Sequence, residues 1–291
     1  MIIPESEFVI NPDGSVYHLG LKPGEASDKA ILVGDPGRVD FFAQFLDSIE
    51  IQRKNREFNT VTGHYNGKRV SIASTGIGPD NIDIFLQEYY GLFHGDFKTR
   101  MPAPELRKLR FVRIGTTGAV QPDIEIDSPV VSQFALGLDN LMNYYNFPEE
   151  FDNSEIGKTI SEHLGFSPSM HQPKVIAAPG SLINQFSDYG THGITATAPG
   201  FFGPQGRSVR IQPAYPGIEQ RLTSFKTQKS GKNLRVCNFE METSALYGLS
   251  HLLGHEALTI CTVVANRLTR KFSKNHEPGL KEILFKVLEV I

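Results

Sequence analysis

Two glutamates one residue apart, Glu240 and Glu242 in Asn238-Phe-Glu-Met-Glu-Thr243, stand where an extended run hands over to an apolar helical pattern. Side chains two apart on an extended segment point the same way. Carboxylates facing one pocket can bind hydroxyl groups, hold a metal or share a proton. They can also be an acidic helix start, since negative charge suits the positive end of the helix dipole. Arg113 lies inside the otherwise apolar run Leu109-Arg-Phe-Val-Arg-Ile114. A buried guanidinium there requires an anion, either bound or supplied by the protein. Arg38 closes Gly34-Asp-Pro-Gly-Arg38, a glycine turn between a strand and a helix. Such a turn aims backbone N–H groups at an anion, although an ordinary βα turn reads the same. Residues 199–207 join Phe201 and Phe202 to Gln205 and Arg207. Rings with an amide and a guanidinium suit a planar heterocycle, or a loop anchored by its aromatics.

No built-in nucleophile accompanies these groups. His251-Leu-Leu-Gly-His255 lacks the glutamate of HExxH, and neither GxSxG nor GxxxxGK[ST] occurs. Gly76-Ile-Gly78 lacks the third glycine of GxGxxG, so no dinucleotide cofactor and no metal site are expected. What remains suits a bound anion as the nucleophile, as when phosphate attacks a sugar. The chain has 291 residues, 40% apolar, and a net charge of −3 without a basic block. That supports a sizeable core and speaks against nucleic acid or a membrane surface as partner. Cys237 and Cys261 lack CxxC spacing, which fits a reducing cytoplasm. Met1-Ile-Ile-Pro-Glu-Ser-Glu7 does not begin like a signal peptide, and no run nears the roughly 20 apolar residues of a membrane span.

The elements that must hold these groups follow from hydrophobic periodicity. Strands are expected at 30–33, 69–75, 109–114, 127–136 and 257–265, with shorter ones at 174–178, 192–198 and 232–237. Residues 54–62 read as one extended segment, 63–67 as a turn and 95–104 as a polar loop. Helices are expected at 39–46, at 82–92 capped by Asp80 or Asn81, and at 153–164, 180–188, 216–226, 243–253 and 279–290. Thr116 follows a strand in Gly115-Thr-Thr-Gly118, and ligands of α/β sheets collect at the carboxyl ends of strands. No repeat or linker interrupts the chain, so residues 1–291 are expected to form one domain.

Set side by side, the motifs resemble the uridine phosphorylases of the nucleoside phosphorylase family. The matching segments are His18-Leu-Gly-Leu, Gly34-Asp-Pro-Gly-Arg38, Asn55-Arg-Glu-Phe58, Ser74-Thr-Gly-Ile-Gly78, Arg113-Ile-Gly-Thr-Thr-Gly118, Phe201-Phe-Gly-Pro-Gln-Gly-Arg207, Asn238-Phe-Glu-Met-Glu-Thr243 and Asn266-Arg267. They keep the family's order from about residue 15 to 270, and their combination is specific where each alone is not. The resemblance implies an α/β fold, a single domain with a central mixed, partly barrel-like β-sheet flanked by helices. It implies a pentosyltransferase that converts uridine and phosphate to uracil and ribose 1-phosphate in pyrimidine salvage, with no organic cofactor.

On that resemblance Gly34, Arg38, Arg113 and Thr116 hold phosphate. Arg56 completes that site and His18 meets the ribose 5′-hydroxyl, both from a neighbouring subunit of a homo-oligomer. Thr116, Glu240, Met241 and Glu242 line the ribose, with Glu242 on its 2′- and 3′-hydroxyls. Phe201, Gln205, Arg207 and Arg267 form the base end, and Arg113, Arg207 and Glu242 carry the chemistry. Purine-cleaving members place an aspartate where this chain has Asn266, which favours a pyrimidine. Some bacterial members bind potassium between subunits near residues matching Glu57 and Ile77, but Gly78-Pro-Asp80 lacks their second glycine. The alternatives are a purine or broad-specificity phosphorylase, a nucleosidase using water, and a nucleoside-binding protein without catalysis.

Overall fold

Ala30-Ile-Leu-Val33 is apolar at every position because its strand, β1 (Lys29–Val33), is covered on both faces. Ala30 and Leu32 enter one core with α2 (Pro79–His94) and α6 (Thr243–Leu252). Ile31 and Val33 enter another with α1 (Pro36–Ala43) and α7 (Glu277–Val290). Parallel strands buried on both faces read as continuous apolar runs. The computed structural model describes residues 2–103, 105–170, 172–229 and 231–291. Met1 and Pro104, which bound two stretches read above, lie outside them.

From β1 the sheet runs outward through β4 (Lys68–Ser74), β3 (Phe58–Tyr65) and the edge strand β2 (Ser48–Asn55). On its other side β1 pairs in parallel with β7 (Arg110–Ala119), which pairs in parallel with β13 (Glu256–Asn266). The sheet continues through β8 (Pro129–Gly137), β10 (Thr191–Thr197) and β12 (Lys232–Glu240). The end of β12 returns to β7, with Asn238 opposite Ala119 and Phe239 opposite Gly118. That return closes part of the sheet into a barrel, as the resemblance implies. β9 (Lys174–Ala177), β11 (Lys226–Lys229) and β14 (Lys271–Phe272) extend it. The apolar faces of α3 (Ser154–Leu164) and α5 (Ile218–Ser224) cover its outside. α4 (Gly180–Ile183) joins the α1 side, and β5 (Gly95–Asp96) with β6 (Met101–Pro102) form a separate hairpin.

Several local expectations change. Residues 54–62 are not one strand but a hairpin between β2 and β3, turning at Arg56 with a φ of +53°. Gly63 lies inside β3, where an added Cβ would fall 2.1 Å from the Ser48 carbonyl oxygen; the turn is at Asn66-Gly67. α1 starts earlier and ends earlier than 39–46, because Pro36 suits the first helical turn and Asp35 accepts from the Gly37 N–H at 2.8 Å. α2 starts at Pro79 after Gly78, and neither Asp80 nor Asn81 caps it. The stretch 95–104 holds a short hairpin, and 180–188 folds as α4 followed by a 3₁₀ turn. β7 runs to Ala119, so Gly115-Thr-Thr-Gly118 belongs to the strand and pairs along β13.

Barrel closure is stapled by a buried chain of polar side chains across four strands. Ser132 and Thr195 share a hydrogen bond of 2.6 Å, and the Thr195 hydroxyl donates to Asn238 Oδ1 at 2.9 Å. Asn238 Nδ2 donates to Thr117 Oγ1 at 2.7 Å, and the Thr117 hydroxyl donates to the Phe239 carbonyl. Each group is satisfied by the next, which removes the desolvation cost of burying it. Asn238→Ala breaks this chain in the middle. It is expected to lower unfolding free energy by about 1–3 kcal/mol in chemical denaturation. Unchanged stability would contradict the stapling role.

Candidate active site

Arg113 is held in the middle of β7, between Leu32 of β1 and Thr259 of β13, and is only 4% exposed. Its Nη2 donates to the Glu242 carboxylate, and its Nη1 lies 3.5 Å from Glu240 Oε2 and 3.8 Å from Cys261 Sγ. The anion required by this arginine is therefore a pair of protein carboxylates. Burial opposes the Arg113 charge, but Glu242 and Glu240 outweigh it and hold the guanidinium above its ordinary pKa. Burial pushes the Glu242 carboxyl up, Arg113 pulls it down, and Glu240 adds to the rise. Burial also pushes the Cys261 thiol up to about 12, which leaves it a neutral neighbour.

The two glutamates have separate jobs in the chain. Glu240 Oε2 accepts from the N–H groups of Glu242 at 2.8 Å and Thr243 at 2.9 Å, and its Oε1 accepts from the Thr197 hydroxyl at 2.6 Å. Glu240, the last residue of β12, thus takes the N–H groups at the start of α6, while the first turn of α6 carries no acidic residue. Its oxygens are engaged by the protein, unlike those of a free hydroxyl-binding group. Glu242 Oε1 accepts from the Gly78 N–H at 2.9 Å, which ties the carboxylate to the turn before α2.

A cavity of about 760 Å³ opens over this pair. Gly34, Arg38 and Thr116 form one end, where Arg38 Nη2 lies 3.5 Å from Thr116 Oγ1. Burial and the nearby Arg113 lower the Arg38 pKa, and among the described residues Arg38 makes no ion pair. A partly buried cation beside another cation makes this end attractive to an anion. Met241 also borders the cavity, and Phe201, Gln205 and Arg207 gather at another part of its lining. The Arg207 guanidinium stacks 3.9 Å from the Phe201 ring centre, and its Nη1 donates to the Phe201 carbonyl at 2.8 Å and to Gln205 Oε1. Burial, then Arg267, lowers the Arg207 pKa to about 10. Arg267 stands behind this end, donating to the Gln205 carbonyl at 3.0 Å.

His18 and Arg56 do not border this cavity. His18 Nδ1 lies 2.6 Å from the buried Glu88 carboxylate, and Asn55 donates to the His18 carbonyl at 2.8 Å. Arg56 packs 5.3 Å from the Tyr17 ring centre. The half-buried His18 and the exposed Arg56 group with Tyr17, while Glu57, one residue on, borders the cavity with Ile77. Asn266 also differs from its expected place. Its Nδ2 donates to the carbonyls of Gln121 at 2.9 Å and Ile124 at 2.8 Å, and its Oδ1 accepts from Leu268 and Thr269. Asn266 is thus a staple for the turn after β13, not a cavity group. Sequence reasoning missed the Gly78 N–H, Thr117, Asn81 and the exposed Phe272, all at or beside the cavity. Gly78 and Thr117 lay inside motifs quoted above and Asn81 was expected only as a helix cap, whereas nothing marked Phe272.

The phosphorylase superfamily matches residues 28–287 of this chain. A uridine phosphorylase of Thermococcus kodakarensis is 30% identical over 267 residues, covering 91% of this chain and 82% of that protein. A DeoD-type purine nucleoside phosphorylase of Alkaliphilus metalliredigens is 28% identical over 253 residues, covering 87% and 88%. Among solved structures, a Trypanosoma brucei nucleoside phosphorylase that shows uridine phosphorylase activity superposes with a TM-score of 0.89 at 30% identity. That match covers 97% of this chain and 98% of the other.

The geometry of Arg113 makes a direct prediction. Arg113→Met strands two buried carboxylates and is expected to cost about 3–5 kcal/mol of stability in denaturant titration. A variant as stable as the parent would show that the carboxylates do not depend on this cation.

Proposed function

The chain belongs to the phosphorylase superfamily, and we propose that within it the substrate is uridine, cleaved by phosphate to uracil and ribose 1-phosphate. The enzyme class, transfer of a pentosyl group, comes with the family. The observation that carries the uridine reading is the set of groups that line one cavity. Arg38, without an ion pair among the described residues, Glu242, held by Arg113 and the Gly78 N–H, and the joined pair Gln205 and Arg207 all border it. A lining of that kind suits an anion, a pair of hydroxyls and a flat base with carbonyl oxygens.

In this reading phosphate binds at Gly34, Arg38, Arg113 and Thr116 and is the co-substrate. Glu242 accepts from the 2′- and 3′-hydroxyls with the lone pairs that Gly78 and Arg113 leave free, which orients the ribose for attack. Glu240 supports Glu242 from behind, and Met241 packs on the sugar. A phosphate oxygen bonds to C1′ as the C1′–N1 bond breaks, and the bond's electron pair leaves with uracil. Arg207 and Gln205 face the negative charge developing on the base, and such aimed donors contribute roughly 2.7–4 kcal/mol each. Phe201 covers the ring and Arg267 supports Gln205.

The Arg38 end favours phosphate over water as the nucleophile. Purine phosphorylases among the relatives make a purine the second reading, and because Asn266 is turned into its loop, Gln205 and Arg207 bear most of that choice. We read residues 1–291 as one domain acting in pyrimidine salvage in the cytoplasm, in a homo-oligomer whose subunits lend His18 and Arg56 to a neighbour. Supporting this, Arg56 holds a left-handed conformation, uncommon for a residue with a side chain, at the tip of a hairpin whose next residue borders the cavity. The potassium reading rests on Glu57 and Ile77 alone, and among the described residues no three His, Cys, Asp or Glu side chains gather as a metal site.

Incubation with uridine should release uracil only when phosphate is present. Cleavage of inosine or adenosine without cleavage of uridine would overturn the assignment. Glu242→Ala should reduce uridine turnover by about 10²-fold or more, as loss of a positioning or transition-state contact does. Glu242→Ala and Arg56→Ala, each nearly inactive alone, should regain activity when co-expressed, because mixed oligomers rebuild an intact site. No recovery in verified mixed oligomers would contradict the shared site.

A further inference from the structure

Behind the base end two arginines come close together. A Cβ built on Gly118 of β7 would lie 3.7 Å from Arg267 Cγ and 3.8 Å from Arg207 Nη2. Like charges this close repel, and partial burial weakens the screening. Among the described residues one carboxylate pairs with either of them: Glu219, near the start of α5, whose Oε1 lies 3.9 Å from Arg267 Nη2. Its other oxygen, Oε2, is buried with no hydrogen-bond partner among the described residues. That oxygen sits under the base loop, where a Cβ on Gly206 would fall 2.5 Å from it. Gly206 separates Gln205 from Arg207 and holds a φ of +73°. Glu219 does not border the cavity. A carboxylate kept largely buried with an unpaired oxygen is costly unless its charge acts on a neighbour.

We propose that Glu219 is a positioning residue for the base end, holding Arg207 and Arg267 together against their mutual repulsion. The proposal rests on the uridine reading. With Glu219 in place the base end carries one net positive charge, matched to the single negative charge of a departing uracil. Without it the two guanidiniums push apart, Arg267 loosens its hold on the Gln205 carbonyl, and Arg207 moves off its stack on Phe201. The effect falls on the step in which the base takes the electron pair of the C1′–N1 bond, so it scales with how poor the leaving group is.

The experiment compares Glu219→Gln with the parent on uridine and on 5-fluorouridine, whose base is the more acidic and so the better leaving group. The expected result is a fall in kcat of about tenfold on uridine and a clearly smaller fall on 5-fluorouridine. An equal fall on both would mean a structural role, and no fall on either would mean no role; both overturn the proposal. If Glu219→Gln proves unstable in thermal melting, Glu219→Asp, which keeps the charge but shortens its reach, is read the same way. In an Arg267→Gln background, Glu219→Gln should add little to the loss on uridine; a full additional loss would also overturn it. The parent alone reports on the underlying reading, since a parent inactive on uridine removes that premise and the proposal with it.

Discussion

The buried ion pair between Arg113 and Glu242 is the contact on which the rest of the site depends. Arg113 stands in a strand that is apolar at most neighbouring positions, and removing it would leave both carboxylates without an ion-pair partner among the described residues. Charges are tolerated there because each is met by several partners at once. Arg113 faces two carboxylates; Glu240 takes two backbone N–H groups and a hydroxyl; Glu242 takes the N–H of Gly78. Breaking one member costs far more than the pair contributes on balance, which is the usual behaviour of buried ionic groups. The consequence for function is rigidity. Glu242 is fixed by a strand on one side and a glycine turn on the other, so its carboxylate is held in one place.

The barrel explains why these partners meet. β12 carries Glu240 at its end and β7 carries Arg113, and the two strands become neighbours only because the sheet closes between them. Asn238 and Thr117 staple that closure at the edge of the site, where Thr117 itself borders the cavity. The open side of the sheet contributes the other half. β1 leads through Gly34 into α1, whose first turn carries Arg38, and β4 leads into the turn with Gly78. Barrel and open sheet thus share β7, and the cavity lies where they join. The loop that carries Phe201 and Phe202, both more than half exposed, supplies another wall, and Arg267 joins it to Glu219 through the Gln205 carbonyl.

Much of this was legible in the sequence, and the parts that were not have physical reasons. Ala30-Ile-Leu-Val33 could only be a strand buried on both faces, and an arginine inside Leu109-Arg-Phe-Val-Arg-Ile114 had to find an anion. That the anion was Glu242 depends on barrel closure, a long-range pairing that periodicity does not encode. Boundaries moved where backbone geometry overrode pattern. Arg56 turned the chain in a conformation that side chains seldom adopt, and Gly63 stayed in its strand because of a close approach by β2. Asn266 matched a family position, yet its side chain serves a turn, since residue identity does not say which way an amide faces. Glu219 left no signal at all, because its meaning comes only from the two arginines that the fold brings beside it.

The most direct test of the central claim is a crystal structure of the protein with uridine and sulfate bound. The account predicts sulfate between Arg38 and Thr116, the ribose 2′- and 3′-hydroxyls on the Glu242 carboxylate, and Arg113 still joined to Glu242. Ribose hydroxyls bound elsewhere, with Glu242 facing only protein groups, would contradict it.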